Sequence, residues 1–222
     1  MALFMPDSSP LIIIGAGGHS VSVANVALAS GFRVVAFIDP SRSGEYVLGI
    51  RVMADLRAVD NWGECAISIA VGDNSAREAI SMKITVQYGV LRFPPLIHPS
   101  ASIAIEAKIG MGSVVMPNAA IGTSTTIGDF CIVNTNSSID HDGRMGNFSS
   151  LAPGAVTGGR VNIGRRAAIS LGAVIQQGVH VGDDAILGAN SFLDQNLVNN
   201  TVAYGNPAKP MRTRLSNEPY LK

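Results

Sequence analysis

Aromatic residues make up only 5% of the 222-residue chain, and there is a single tryptophan. So few aromatics are what a solenoid of stacked coils would require. There are two cysteines, Cys65 and Cys131, with neither zinc-ligand spacing nor a disulfide framework. Net charge is absent too, since 16 Lys and Arg offset 16 Asp and Glu. Nothing in that balance calls for nucleic acid or an anionic membrane. No apolar run is long enough to span a bilayer, and Met1 to Pro10 lacks the basic start of a secretory signal. That first stretch reads as a loose leader, and a reducing cytoplasm is the expected compartment.

What the chain has in abundance is glycine, 24 residues, and a period of six. Stepping by six from Ile97 gives Ile103, Ile109, Val115, Ile121, Ile127, Val133, Ile139, Met145 and Leu151, and the phase continues to Leu193. Thr157 is its only member that is not apolar. Two residues before each member the side chain is nearly always small, as at Ala101, Ser113, Ala119, Cys131 and Ala155. Glycine often follows the apolar residue, as at Gly110, Gly122, Gly128, Gly146 and Gly164. A branched side chain fills an interior, a small one fits where a wall turns a corner, and glycine suits a tight bend. Three such hexads close one triangular coil, and stacked coils bury a continuous core. Cys131 falls on a small interior position, so it reads as a buried thiol.

The first part of the chain has a different grammar. Leu11–Ile14 reads as a buried parallel strand running into Gly15-Ala16-Gly17-Gly18-His19-Ser20. Helical composition follows from Val21 to Ser30 and ends at Gly31. A second strand covers Arg33–Ile38 and stops at Asp39-Pro40. A third covers Ala66–Val71, followed by Gly72-Asp73-Asn74 and a helix from about Ser75 through Met82. This is βαβ organisation in a small open sheet. The chain thus divides into an α/β, Rossmann-like part over residues 1–95 and a repeat part with a C-terminal tail over residues 96–222.

A strand, a glycine turn and a helix make a phosphate site, because free backbone N–H groups at a helix start attract anions. The dinucleotide fingerprint is incomplete, since Ser20 stands at its third glycine, although Asp39 lies where a ribose-binding acid is expected. A nucleotide diphosphate carrying another group fits better than NAD; a tight turn with no ligand is the bland alternative. Within the repeat, His141 beside Asp142 is the candidate general base, and Asn134 stands seven residues before it, where the two can lie around one corner. His98, at the seam between the two parts, reads as structural, and His180 as an exterior histidine. A β-helical carbonic anhydrase needs three His around zinc; His98, His141 and His180 are too widely spread. An ice-binding or scaffold β-helix would repeat a threonine ladder, whereas Thr123, Thr125 and Thr126 cluster once. A regulatory nucleotide-binding module is a weaker option.

The run of GAGGHS, Asp39, VGDN, IHPSA, NTNSSIDHD and AYGNPAKPMR resembles the PglD-like and NeuD-like bacterial sugar acyltransferases over nearly the whole chain. The resemblance implies a left-handed parallel β-helix, where the general crossover rule alone would give the opposite hand. It implies acetyl-CoA as co-substrate, no metal, and a homotrimer with active sites between neighbouring β-helices. The implied activity is N-acetylation of a nucleotide-linked 4-amino-4,6-dideoxy sugar, with sugar O-acetylation of the sialic acid type as the alternative. By motif, His141 would be the base and Asp142 its acid partner, and Asn134 would contact the sugar. Gly17, Gly18 and His19 would meet the diphosphate or nucleoside, Asp39 the base or ribose, and Gly72 the nucleotide pocket. The Gly159 N–H matches a position close to the thioester carbonyl. Leu171 and Ala189 match positions along the CoA groove, and Gly205 to Lys209, with Pro207 and Lys209, the stretch closing over the CoA end. Ser150 stands where family members often carry a second histidine close to acetyl-CoA, and its hydroxyl can still hydrogen-bond. Pro40 stands where many members have a second acid.

Overall fold

A computed structural model describes residues 9–220. Apart from Ser9 and Pro10, the expected leader lies outside the described residues, and Pro10 already opens the first strand. The order begins β1 (Pro10–Ile14), α1 (Gly18–Ala29), β2 (Arg33–Ile38), β3 (Tyr46–Val47), β4 (Ile50–Met53), β5 (Ala66–Ile69) and α2 (Asn74–Tyr88). These strands form one sheet in the order β3-β4-β2-β1-β5, parallel except for the β3–β4 hairpin. The sequence reading missed that hairpin and ended α2 six residues early. Helix α2 runs on because Ile84 packs into the core on one side of the sheet and Gly89, at φ 82°, provides the stop.

From Leu96 onward the chain is a left-handed parallel β-helix of two-residue strands on three faces. Ala120 pairs with Ser138 and Ser138 with Val156, so one coil takes 18 residues, three hexads. The first face runs from Leu96–Ile97 to Ile186–Leu187 and ends in the antiparallel hairpin Thr201–Gly205 and Ala208–Thr213. The second runs from Ser102–Ile103 to Phe192–Leu193, the third from Lys108–Ile109 to His180–Val181. The period-six apolar residues fill the interior, and the small residues two places before them are buried at the corners. Cys131 is fully buried among them.

The glycines of the repeat have a different reason from the one expected. Gly110, Gly122, Gly128, Gly146, Gly158 and Gly164 do not have positive φ. The bend falls two residues later, on residues such as Ser124, Phe130, Asp142 and Arg166 with φ of 53–56°. What forbids a side chain at the glycine is the next coil: a methyl group on Gly146 would stand 2.7 Å from Arg165 N, and one on Gly158 2.8 Å from Gln177 N. Glycine here serves stacking rather than turning.

The three faces differ outside. The first carries Leu96, Val114 and Ile132, and Leu96, Val114 and Met116 share one core with α1. The third carries Lys108, Thr126, Arg144, Asn162 and His180, a polar surface. The second carries Ser102, Ala120, Ser138, Val156, Val174 and Phe192, small or apolar, with Val156 and Val174 about 40% exposed.

Arg77 on α2 locks the sheet to the prism. It is fully buried, and its five N–H groups all reach oxygen. Nε donates to the Phe130 carbonyl at 2.8 Å; Nη1 donates to the Val71 and Gly72 carbonyls at 2.9 and 3.0 Å. Nη2 donates to Asn74 Oδ1 and the Phe148 carbonyl at 2.7 and 2.8 Å. The Phe130 and Phe148 rings stack beneath, 5.2 Å apart. Replacing Arg77 with Met leaves the buried Phe130 and Phe148 carbonyls and the partly buried Val71 and Gly72 carbonyls short of a charged donor, and the loss should exceed about 3 kcal/mol. Urea unfolding of Arg77→Met against wild type measures it.

Candidate active site

His141 and Asp142 occupy the turn between the second and third faces. The Asp142 backbone is left-handed at φ 56°, which carries its carboxylate back to the ring, Nδ1 to Oδ2 at 2.8 Å. With Nδ1–H donating to the carboxylate, Nε2 has no hydrogen-bond partner among the described residues. Both side chains remain about half exposed, at 42% and 56%. One coil on, at the same edge, is Gly159. Its backbone lies so close that a methyl group there would overlap Nε2 and Cε1 of His141. Arg160 N donates to the His141 carbonyl at 2.8 Å, tying the two turns together.

Asn134 does not share this corner. It opens the turn between the first and second faces, with the rung Ser138–Ile139 between it and His141. The spacing of seven residues carries the chain across a whole face, because each corner already takes four residues. Leu171 and Ala189 lie on the same edge as Asn134, one above the other, both exposed. The Gly205–Lys209 stretch, with Pro207 and Lys209, forms the hairpin turn above that edge. The expected residues therefore fall on two edges that flank the second face.

The sheet residues form a third group. Gly17 caps α1, Gly18 begins it, Asp39 follows β2 and Gly72 lies just beyond β5, all at the carboxyl ends of parallel strands. A methyl group on Gly17 or Gly18 would meet nothing within 4 Å, so the surrounding protein does not require glycine there. Asp39 Oδ1 is engaged by Ser41, accepting from its N at 3.0 Å and its Oγ at 2.6 Å. His19 is largely buried, its Nε2 without a partner among the described residues. Burial, with the Arg77 charge second, lowers its pKa from 6.5 to about 4.

The Gly72 turn lies against the edge between the third and first faces, where Arg77 and Asn74 are anchored. His141 stands at the other side of the third face, so one chain does not bring the glycine turns and His141 together. Ser150 also differs from expectation. It is 8% exposed, and its Oγ is taken by Asn74 Nδ2 and the Tyr220 hydroxyl, both at 3.2 Å. The hydroxyl that the resemblance aimed at acetyl-CoA instead helps fasten the C-terminal tail. Tyr220 also donates to the Gly72 carbonyl, and Arg214 of the tail bonds Asp184. His98 accepts from Ser100 N at 3.1 Å, the structural role expected, and His180 lies on the outer third face. Among the described residues no group of three His, Cys, Asp or Glu could hold a metal ion.

Comparison with known proteins decides the family. The PglD N-terminal domain family matches residues 10–84. PerB from Caulobacter crescentus, solved with CoA and GDP-perosamine, is 33% identical with a TM-score of 0.85, over 91% of this chain and 97% of that one. The chain belongs to the PglD-like sugar acetyltransferases. The acetyltransferase domain of PglB from Neisseria gonorrhoeae, solved with acetyl coenzyme A, is 34% identical, TM-score 0.85, over 91% and 99%. An uncharacterized protein of Acanthamoeba polyphaga mimivirus is 27% identical over 103 residues, 46% of this chain and only 20% of that protein's length.

Several side chains that hold the glycine turn and the Gly72 turn were not singled out from the sequence. Arg42 reaches the Ala16 carbonyl in the glycine turn and pairs with Glu45 at 2.6 Å. Arg77, Asn74 and Tyr220 fix the Gly72 turn. Of these only Asn74 falls in a quoted motif, VGDN, and their partners lie 3 to 148 residues away.

Two outcomes follow. Gly159→Ala should push the imidazole off its seat and cut turnover on the order of 10²-fold, with an unchanged melting temperature; steady-state kinetics beside calorimetry read both. For His19, the unfolded chain takes a proton below about 6.5 while the folded chain resists until about 4. The stabilisation is complete above 6.5 and is lost as pH falls to 4, on the order of 3 kcal/mol. Urea midpoints over that window should fall less steeply in His19→Asn than in wild type.

Proposed function

We propose that this acetyltransferase transfers the acetyl group of acetyl-CoA to the amine of a nucleotide-linked 4-amino-4,6-dideoxy sugar, with His141 as general base. The carrying observation is the His141–Asp142 pair seated on Gly159, with Nε2 lacking a hydrogen-bond partner among the described residues. The relatives solved with CoA and GDP-perosamine, or with acetyl coenzyme A, support both substrates.

In this reading the sheet over residues 1–95 holds the nucleotide sugar. Gly17, Gly18 and His19 meet the diphosphate or nucleoside, Asp39 the ribose or base, and Gly72 lines the pocket. The prism over residues 96–222 carries the chemistry. The amine nitrogen attacks the thioester carbonyl carbon as Nε2 takes its proton, and Asp142 stabilises the imidazolium through Nδ1–H. The Gly159 N–H donates to the oxyanion of the tetrahedral intermediate. Collapse breaks the C–S bond, and the imidazolium returns the proton to the CoA sulfur. No acyl-enzyme forms.

A homotrimer completes the site. The small and apolar second face is the surface suited to burial against copies of itself. Packed about a threefold axis, it sets the edge of His141 and Gly159 in one protomer beside the edge bearing Asn134, Leu171 and Ala189 in the next. CoA then runs along that seam toward Pro207 and Lys209. The substrates are cytoplasmic metabolites, so the enzyme works in the cytoplasm.

A thiol-release assay with a panel of nucleotide amino sugars and their hydroxy counterparts tests the reading. CoA should appear with the amino sugars. His141→Ala should lose about 10²–10⁴-fold in kcat. Near wild-type turnover in a folded variant removes the base assignment, and release with the hydroxy sugars alone makes the enzyme an O-acetyltransferase.

A further inference from the structure

Thr157 is the one polar residue in the interior phase of the repeat, and it is 3% exposed. It lies one coil on from Ile139, the residue immediately before the turn that carries His141. The ladder breaks at this point. In the coils on either side, the residue after the apolar one donates to a backbone carbonyl: Gly122 N to Ile139 O at 2.8 Å, and Gly158 N to Ile175 O at 2.9 Å. The equivalent donor, Asp140 N, goes instead to the Thr157 side-chain Oγ1 at 3.3 Å. Correspondingly, Ser138 pairs with Val156 but Ile139 and Thr157 do not pair, whereas the rungs on either side keep both pairs.

The consequence runs directly to the imidazole. Asp140 Oδ1 accepts from His141 N at 2.7 Å, so the peptide re-aimed by Thr157 also carries the group that holds the His141 backbone. A polar side chain inside an apolar stack costs stability unless it does something there. Valine would match its volume, restore the phase and let Asp140 N return to the carbonyl. We propose that Thr157 is a positioning residue: its hydroxyl draws the Asp140 peptide out of the regular ladder and so sets the His141 ring over Gly159. This rests on His141 being the base, and the test separates the two.

Crystal structures and kinetics of Thr157→Val and Thr157→Ser provide it. Val is close to isosteric and suits the core, so the variant should melt no lower than wild type. In Thr157→Val the His141 ring should leave its seat on Gly159, and kcat should fall about 10- to 100-fold with KM for both substrates within twofold. Thr157→Ser, which keeps the acceptor, should retain the ring position and most of the turnover. A ring that stays over Gly159 in Thr157→Val overturns the proposal, whatever the rate does. So does a Ser variant displaced as far as the Val variant. A displaced ring with unchanged kcat upholds Thr157 as the positioning group and instead removes His141 as base.

Discussion

Registry of each residue against the one eighteen places on is the constraint from which the site grows. Parallel strands of two residues bind so weakly alone that only repetition holds them, and repetition demands that every coil have the same length. Once it does, chemistry can be stacked. His141 meets Gly159 because their numbers differ by one coil, and Asp140 meets Thr157 because they differ by one residue less. Asn134, Leu171 and Ala189 share an edge for the same reason. A rigid wall of this kind holds an imidazole without help from flexible loops.

The second constraint is Arg77. A guanidinium wholly inside a protein is tolerated only when its donors are satisfied. Here they are satisfied by carbonyls of the Gly72 turn on one side and of two prism corners on the other. The sheet cannot rock without breaking several charged hydrogen bonds together. Burial pulls the Arg77 pKa down, and its charge in turn helps keep His19 neutral. Around it, Glu78 binds Arg166, Arg166 binds Asp184, and Asp184 is reached by Arg214 of the tail. Orientation of the two parts is therefore an electrostatic and hydrogen-bonded matter at one edge, beside the apolar packing of α1 on the first face.

The repeat was legible because its physics is local and periodic. Interior, corner and exterior positions recur every six residues, so the prism, the buried Cys131 and the exterior His180 could be read directly. The glycines were visible but their reason was not: contact with the next coil, rather than torsion, requires them at Gly146 and Gly158. The β3–β4 hairpin was missed because two- and four-residue strands leave too short a pattern to register.

The sequence alone determined the period, the glycine turn at the end of β1 and the adjacency of His141 and Asp142, all of which depend on residues near one another in the chain. Only the tertiary structure decided which edge each candidate occupies, that Asn134 and His141 stand a face apart, and that Ser150 is spent on Asn74 and Tyr220. Those facts depend on where a corner falls and on partners up to 148 residues away. Spacing along the chain does not encode them, because each corner turns the wall and redirects every side chain beyond it.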